Sequence, residues 1–218
     1  MKKERFFKDA LPDSIGPLEG IRVLEATHYG AGPIIGTLLG DLGADVIKCD
    51  PSKGDVIRHM PPFLTSEADQ AGQSAAHLSF NRNKKNITLN LHKPEAQEIF
   101  KKLVKGMDVV VENFKPGTME KWGLGYEDLK KVKEDLIYTS NSAYGQFGPY
   151  SHRPGYDTVG QAYGGLMHIT GHPDGPPTRT GNAMSDNISA WLGAFGTLAA
   201  IIYRNKTGKG QHVDIAQI

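Results

Sequence analysis

The chain has 218 residues, 39% of them hydrophobic, with 25 Lys and Arg against 24 Asp and Glu. That length supports a buried core of its own, and the balanced charge carries no electrostatic footprint for nucleic acid or an anionic membrane. A single cysteine, Cys49, excludes an intrachain disulfide, fits a reducing compartment and reads as a small half-buried residue with no activating neighbour.

Residues 1–16 read as a polar lead-in and 17–218 as one large domain. Phe6-Phe7 runs into Lys8 and Asp9 rather than an apolar core, so no signal peptide is expected. No apolar run reaches the length of a membrane span, and a soluble, cytoplasmic protein is the expectation. Ile21–Ala26 forms a buried strand, followed by a helix opened by Pro33 and running to Leu42, then a strand over Asp45–Asp50. This β-α-β order implies parallel pairing and a right-handed crossover. Residues 51–82 read as loop and Asn86–Leu91 as an alternating strand. Pro94–Val104 follows as a helix, and Val109–Val111 as another buried strand. Short helices are expected over 116–121 and 126–133, and a strand over Leu136–Thr139. Asp157–His168 and Asn187–Arg204 follow as helices, the second apolar enough to be buried. Gln211–Ala216 is the last strand. Alternating strands and helices give an α/β fold, Rossmann-like, with a mostly parallel sheet and flanking helices.

Gly30-x-Gly32-x-x-x-Gly36, between a strand and a helix with Asp50 downstream, imitates a dinucleotide fingerprint. The spacing is one residue too long and Pro33 removes a donor. A nicotinamide site, another phosphate or nucleotide site, and plain helix–strand packing therefore stay open. His168 and His172 have i,i+4 spacing but no intervening Glu, and Gly171 and Pro173 break the helix, so no metal site is expected. Thr207-Gly208-Lys209-Gly210 lacks Walker spacing and reads as a turn.

Several blocks in order carry more. These are Pro17-Leu18-x-Gly20-Ile21-Arg22-Val23-Leu24, Gly30-Ala31-Gly32-Pro33 and Gly40-Asp41-Leu42-Gly43-Ala44-Asp45-Val46-Ile47-Lys48. Next come Asn81-Arg82-Asn83-Lys84-Lys85 and Glu112-Asn113-Phe114-Lys115-Pro116-Gly117. Gln161-Ala162-Tyr163-Gly164-Gly165 and Thr207-Gly208-Lys209-Gly210-Gln211 complete the series. Together they resemble the N-terminal half of class III coenzyme A transferases, the formyl-CoA transferase and CaiB-BaiF family. The resemblance implies a homodimer of interlocked subunits, or a second chain supplying the half that is absent here. That half carries a smaller domain and a glycine-rich loop over the active site.

The resemblance places the family's nucleophilic aspartate at Asp186, in Thr180-Gly181-Asn182-Ala183-Met184-Ser185-Asp186-Asn187. A carboxylate there attacks the thioester and then carries coenzyme A to a small carboxylic acid. On the residues alone, Asp186 is also a good helix cap. The coenzyme A of the acyl-CoA substrate is expected at His28, Tyr29, Gly30, Asn113 and Phe114. Its phosphates are expected at Lys84 and Lys85, with Lys121 and Arg58 as further candidates, and Tyr156 and Asp157 are assigned to the same site. Tyr156 stands where the related 2-methylacyl-CoA racemases place a histidine. A phenol is a poor base for α-proton abstraction, which favours transfer over racemisation, although nearby His152 keeps the racemase reading open. Pro51 and Pro154 stand where formyl-CoA transferases carry an arginine and a lysine, which points to a different acid. A non-catalytic split subunit that only binds coenzyme A or a partner chain is the third reading.

Overall fold

The structure is a computed structural model that describes residues 16–63, 65–67 and 71–218. Of the polar lead-in, only Gly16 falls within the described residues. The chain folds in the order β1 (Arg22–Ala26), α1 (Ala31–Asp41), β2 (Asp45–Asp50), a 3-10 turn (Val56–His59), α2 (Ala75–Phe80), β3 (Lys84–Thr88) and α3 (Pro94–Val104). It continues with β4 (Val109–Glu112), α4 (Thr118–Lys121), α5 (Tyr126–Val132), β5 (Ile137–Ser142), α6 (Asp157–Tyr163), α7 (Met184–Thr207) and β6 (His212–Ala216).

The six strands lie in the order β3-β2-β1-β4-β5-β6, and every pairing is parallel. Strand alternation divides the core between the two faces of the sheet. Val23, Val46, Val109, Val111 and Ile137 pack under α1 and α7. Leu24, Ala26, Val110 and Tyr138 pack on the other face with Phe100 and Val104 of α3 and with Leu129 of α5. Strand order reverses between β1 and β4, and a crevice opens beyond the carboxyl ends of those two strands, where such sheets bind ligands.

Several sequence expectations need correction. The 51–82 stretch is not all loop: Asp55 caps the 3-10 turn by accepting from the Ile57 N–H, and Ser74 caps α2 by accepting from the His77 N–H. β3 begins at Lys84 and ends at Thr88, because the chain turns through Asn90, whose carbonyl and side chain accept from the Lys93 and His92 amides. α6 stops at Tyr163, where Gly164 is followed by Gly165 at φ 78°. The helix expected to be buried, α7, is buried on one side only. Ser189, Ala190, Gly193, Ala194, Thr197, Ala200 and Ile201 face inward, whereas Trp191 and Phe195 are 66% and 71% exposed. Ile188, Leu192, Ile202 and Tyr203 extend the same exposed apolar stripe. Apolar content alone does not distinguish a helix buried in its own domain from one awaiting a partner surface.

Candidate active site

The β1–α1 connection forms one wall of the crevice, and its shape is held from below. Tyr29 adopts φ 60°, a left-handed conformation that a residue with a side chain rarely enters unless its surroundings impose it. Asp55 imposes it by accepting from the Tyr29 N–H at 3.1 Å while also accepting from the Ile57 N–H. Asp55 is in turn held by Lys48, 3.0 Å away, and the Lys48 ammonium also donates to the Thr27 carbonyl. Burial works against charge on Lys48, yet Glu25, Asp55 and Asp50 around it raise its pKa above the ordinary lysine value.

Asn113 ties β4 to this connection. Its side-chain oxygen accepts from the His28 N–H and its amide donates to the His28 carbonyl, both at 2.9 Å. Gly32 makes that approach possible: a Cβ there would lie 2.5 Å from the Asn113 Cγ. Glu112, fully buried one residue earlier, accepts from the Phe114 N–H at 2.8 Å and fixes the same turn. Burial pushes the Glu112 carboxyl up to about 7.

Asp186 lies in the first turn of α7 and faces a cleft of about 160 Å³. The helix supplies no side-chain cap of its own. The cap comes from Asp157 at the start of α6, which accepts from the Ser185 N–H at 2.9 Å and from Gln161 at 2.7 Å. Burial, and then the neighbouring Asp157 charge, raise the Asp186 carboxyl to about 6, against a hydrogen bond from Gln217 that lowers it. One carboxylate oxygen, Oδ1, accepts from Gln217 Nε2. The other, Oδ2, lies so near Gly30 that a Cβ on that residue would be 2.8 Å away. A glycine at position 30 is therefore a requirement of the carboxylate rather than of a phosphate.

The structure brings most of the expected site residues together. His28, Tyr29, Gly30, Asn113, Phe114, Tyr156 and Asp186 all line the one cleft. The Tyr156 ring meets Tyr29 edge-on at 5.5 Å and is 60% exposed, and Phe114 packs against His28 at 5.2 Å. Asp157 sits behind Asp186 as the α7 cap, buried away from the cleft lining. Lys84 is not free for a phosphate: its ammonium is paired with Glu25 at 2.9 Å and donates to the Pro33 carbonyl at 2.6 Å. Burial, only partly opposed by Glu25, pushes its pKa down to about 8. Lys85 is exposed but pairs with Asp45 near the amino ends of β2 and β3, at the edge of the sheet away from the crevice. Arg58 pairs with Asp50, and Lys121 is exposed beside Trp122.

Trp122 helps to line a second, mostly apolar groove of about 270 Å³, with Cys49, Pro51, Leu89, Leu91 and Phe114. His28 and Phe114 belong to both linings, so the groove and the cleft adjoin. Cys49 is buried there and its thiol is pushed up to about 12 by burial, which makes it inert. Among the described residues no group of three or more His, Cys, Asp or Glu side chains is placed to hold a metal ion.

Sequence reasoning missed Gln217, Asp55 and Lys48. Gln217 is 31 residues from the carboxylate it touches. Lys48 sat in view within a matched block and Asp55 seven residues on, but nothing in their spacing shows that they meet beneath Tyr29.

The profile described as CoA-transferase family III matches residues 18–218. A mouse protein named succinyl-CoA:glutarate CoA-transferase is 47% identical over 205 residues, covering 93% of this chain and 45% of its own length. A Haloarcula marismortui protein named succinyl-CoA:mesaconate CoA-transferase is 46% identical over 207 residues, covering 93% of this chain and 52% of its own. The crystal structure of a CAIB/BAIF family protein from Brucella suis superposes with a TM-score of 0.87 at 42% identity, covering 93% of this chain and 53% of that one. This chain thus spans about half the length of the relatives it matches. Because the match covers the whole crevice, with Asp186 and every residue of its lining inside it, the chain belongs to CoA-transferase family III.

Proposed function

We propose that this chain supplies the nucleophile and much of the coenzyme A site of an enzyme that moves coenzyme A from an acyl-CoA to a free carboxylic acid. The observation that carries this reading is Asp186, a carboxylate with one oxygen turned to the Gly30 turn in a cleft that adjoins an apolar groove. Asp186 attacks the thioester carbonyl, giving a mixed anhydride and coenzyme A thiolate. The thiolate attacks the aspartyl carbon, releases the first acid and leaves an aspartyl-CoA thioester. The acceptor acid then repeats the two steps in reverse and departs as the new acyl-CoA. The apolar groove suits the uncharged parts of coenzyme A, with Trp122 and His92 offering ring surfaces 5.0 Å apart.

The names of the relatives point to succinyl-CoA as donor and a short dicarboxylic acid as acceptor. Lys115 and Arg153, the two cationic side chains in the cleft lining, suit the second carboxylate of such an acid. Transfer is favoured over racemisation because Tyr156 lines the cleft at the position where the racemases place a histidine, and His152 lies outside the lining. Covalent trapping tests the reading. With acyl-CoA and hydroxylamine, the complete assembly is expected to yield a hydroxamate at Asp186, found by peptide mass. Exchange of the substrate α-proton with deuterated solvent, without an adduct, would establish the racemase reading instead.

The pH dependence follows from the raised carboxyl. Only ionised Asp186 attacks, so transfer is expected to fall about tenfold per pH unit below about 6 and to level off above it. A rate profile flat from pH 5 to pH 7 would assign the carboxyl an ordinary pKa and remove the burial argument.

The exposed stripe on α7 supports a second part to this reading. We infer that it seats the polypeptide corresponding to the other half of the relatives' length. The stripe begins at Ile188, two residues past Asp186 on the same helix. Trp191→Glu is expected to weaken the complete assembly at least tenfold by sedimentation or light scattering, given that a buried aromatic anchor is worth about 2 kcal/mol or more. Unchanged assembly in that variant would place the cover elsewhere.

A further inference from the structure

The two oxygens of Asp186 are in different surroundings, and the mechanism above treats them alike. Oδ1 accepts from Gln217 Nε2, whereas Oδ2 abuts Gly30 at the cleft wall. An ionised carboxylate only accepts hydrogen bonds, so the Gln217 amide must present its N–H rather than its oxygen. Gln217 is itself held at both ends of its backbone. Its N–H donates to the Ser142 carbonyl at 3.0 Å, and its carbonyl accepts from the Ser185 hydroxyl at 2.9 Å. Ser185 in turn donates its amide to Asp157, so the donor and the carboxylate share one rigid frame.

We propose that Gln217 is a catalytic residue that assigns the two oxygens fixed roles: Oδ2 attacks the acyl carbon, and Oδ1 becomes the oxyanion, stabilised by the Gln217 N–H, whenever the aspartyl carbon is attacked. The inference rests on the aspartyl mechanism proposed above. In the anhydride, Oδ2 bridges the aspartyl carbon and the acyl carbon while Oδ1 is the aspartyl carbonyl oxygen. When the coenzyme A thiolate attacks the aspartyl carbon, its electron pair forms the C–S bond and the C=O pair moves onto Oδ1. Collapse breaks the bond from the aspartyl carbon to Oδ2, so the released acid carries Oδ2 away. The acceptor acid then attacks the same carbon with one of its own oxygens. Charge develops on Oδ1 again, and the thiolate leaves. Finally the thiolate attacks the acceptor's acyl carbon, and the acceptor's oxygen stays behind as the new Oδ2. Oδ2 is exchanged with the acids at every turnover, and Oδ1 never is.

This asymmetry gives a direct test in the complete assembly, using succinyl-CoA as donor and a heavy-oxygen-labelled dicarboxylic acid as acceptor over many turnovers. The expected result is one heavy oxygen, and not two, in the Asp186 peptide by mass spectrometry. Two heavy oxygens in the unaltered enzyme overturn the proposal, because they show both oxygens attacking in turn. No label at Asp186, with no trapped adduct, defeats the aspartyl mechanism itself and is distinguishable from both. Gln217→Met keeps the length but removes the N–H. It is expected to lower kcat by about 10² to 10³ with KM for acyl-CoA little changed, the usual cost of losing one oxyanion donor. It should also admit a second heavy oxygen. A variant with unaltered kcat and a single label would show that Gln217 merely packs there.

Discussion

Asp186→Asn is expected to abolish coenzyme A transfer, by about 10⁴-fold or more, while leaving the protein slightly more stable than the parent. The amide is nearly the same size and can still accept from Gln217 through its oxygen, but it is no nucleophile. The stability gain follows from the sign of the pKa shift. The folded carboxyl titrates at about 6, above its ordinary value of 3.8, so the native state holds the proton more tightly than the unfolded chain does. Ionised Asp186 therefore costs stability above about pH 6, and that cost disappears as the pH falls below 3.8. Removing the charge should return about 1–2 kcal/mol at neutral pH, seen as a higher denaturant midpoint. The same variant should show no hydroxamate at position 186. Full transfer activity in Asp186→Asn would defeat the nucleophile assignment, and loss of stability would show that the carboxylate serves the fold.

Lys48→Met should have the largest effect on stability, about 3–5 kcal/mol. The methionine matches the lysine stem in length but leaves Glu25, Asp50 and Asp55 facing one another without the ammonium among them. Lys84 and Arg58 still pair with Glu25 and Asp50, but Asp55 loses its cation. A buried carboxylate without its partner is costly, whereas an exposed pair such as Lys85–Asp45 contributes little. Asp55 also holds Tyr29, so damage should reach the cleft as a raised KM for acyl-CoA. Urea unfolding of the parent and Lys48→Met measures the first effect. Steady-state kinetics at a temperature where both are folded measures the second. A stability loss under about 1 kcal/mol would mean that the carboxylates take up protons and the network is not a keystone of the fold.

The long elements were legible in the sequence for simple reasons. Pro94–Val104 has a helical apolar period and a proline in its first turn, and it is α3 to the residue. The β-branched run at Val109–Val111 could only be a buried strand, and β4 ends one residue further on. The Asp186 assignment rested on a resemblance, because a lone aspartate at a helix start reads equally as a cap. Asp157 does the capping from another helix, and that frees Asp186 for the cleft.

Local chemistry in the sequence therefore determined the alternating α/β order, which depends on neighbours within a few residues along the chain, whereas the candidate nucleophile rested on the order of the matched blocks. Only the tertiary structure decided which charges face one another. It turned Lys84 inward to Glu25 and set Lys48 beneath Asp55. It also gave the two oxygens of Asp186 different neighbours through Gln217 and Gly30. Pairing of charges and hydrogen bonds across strands depends on distances that residue spacing does not encode.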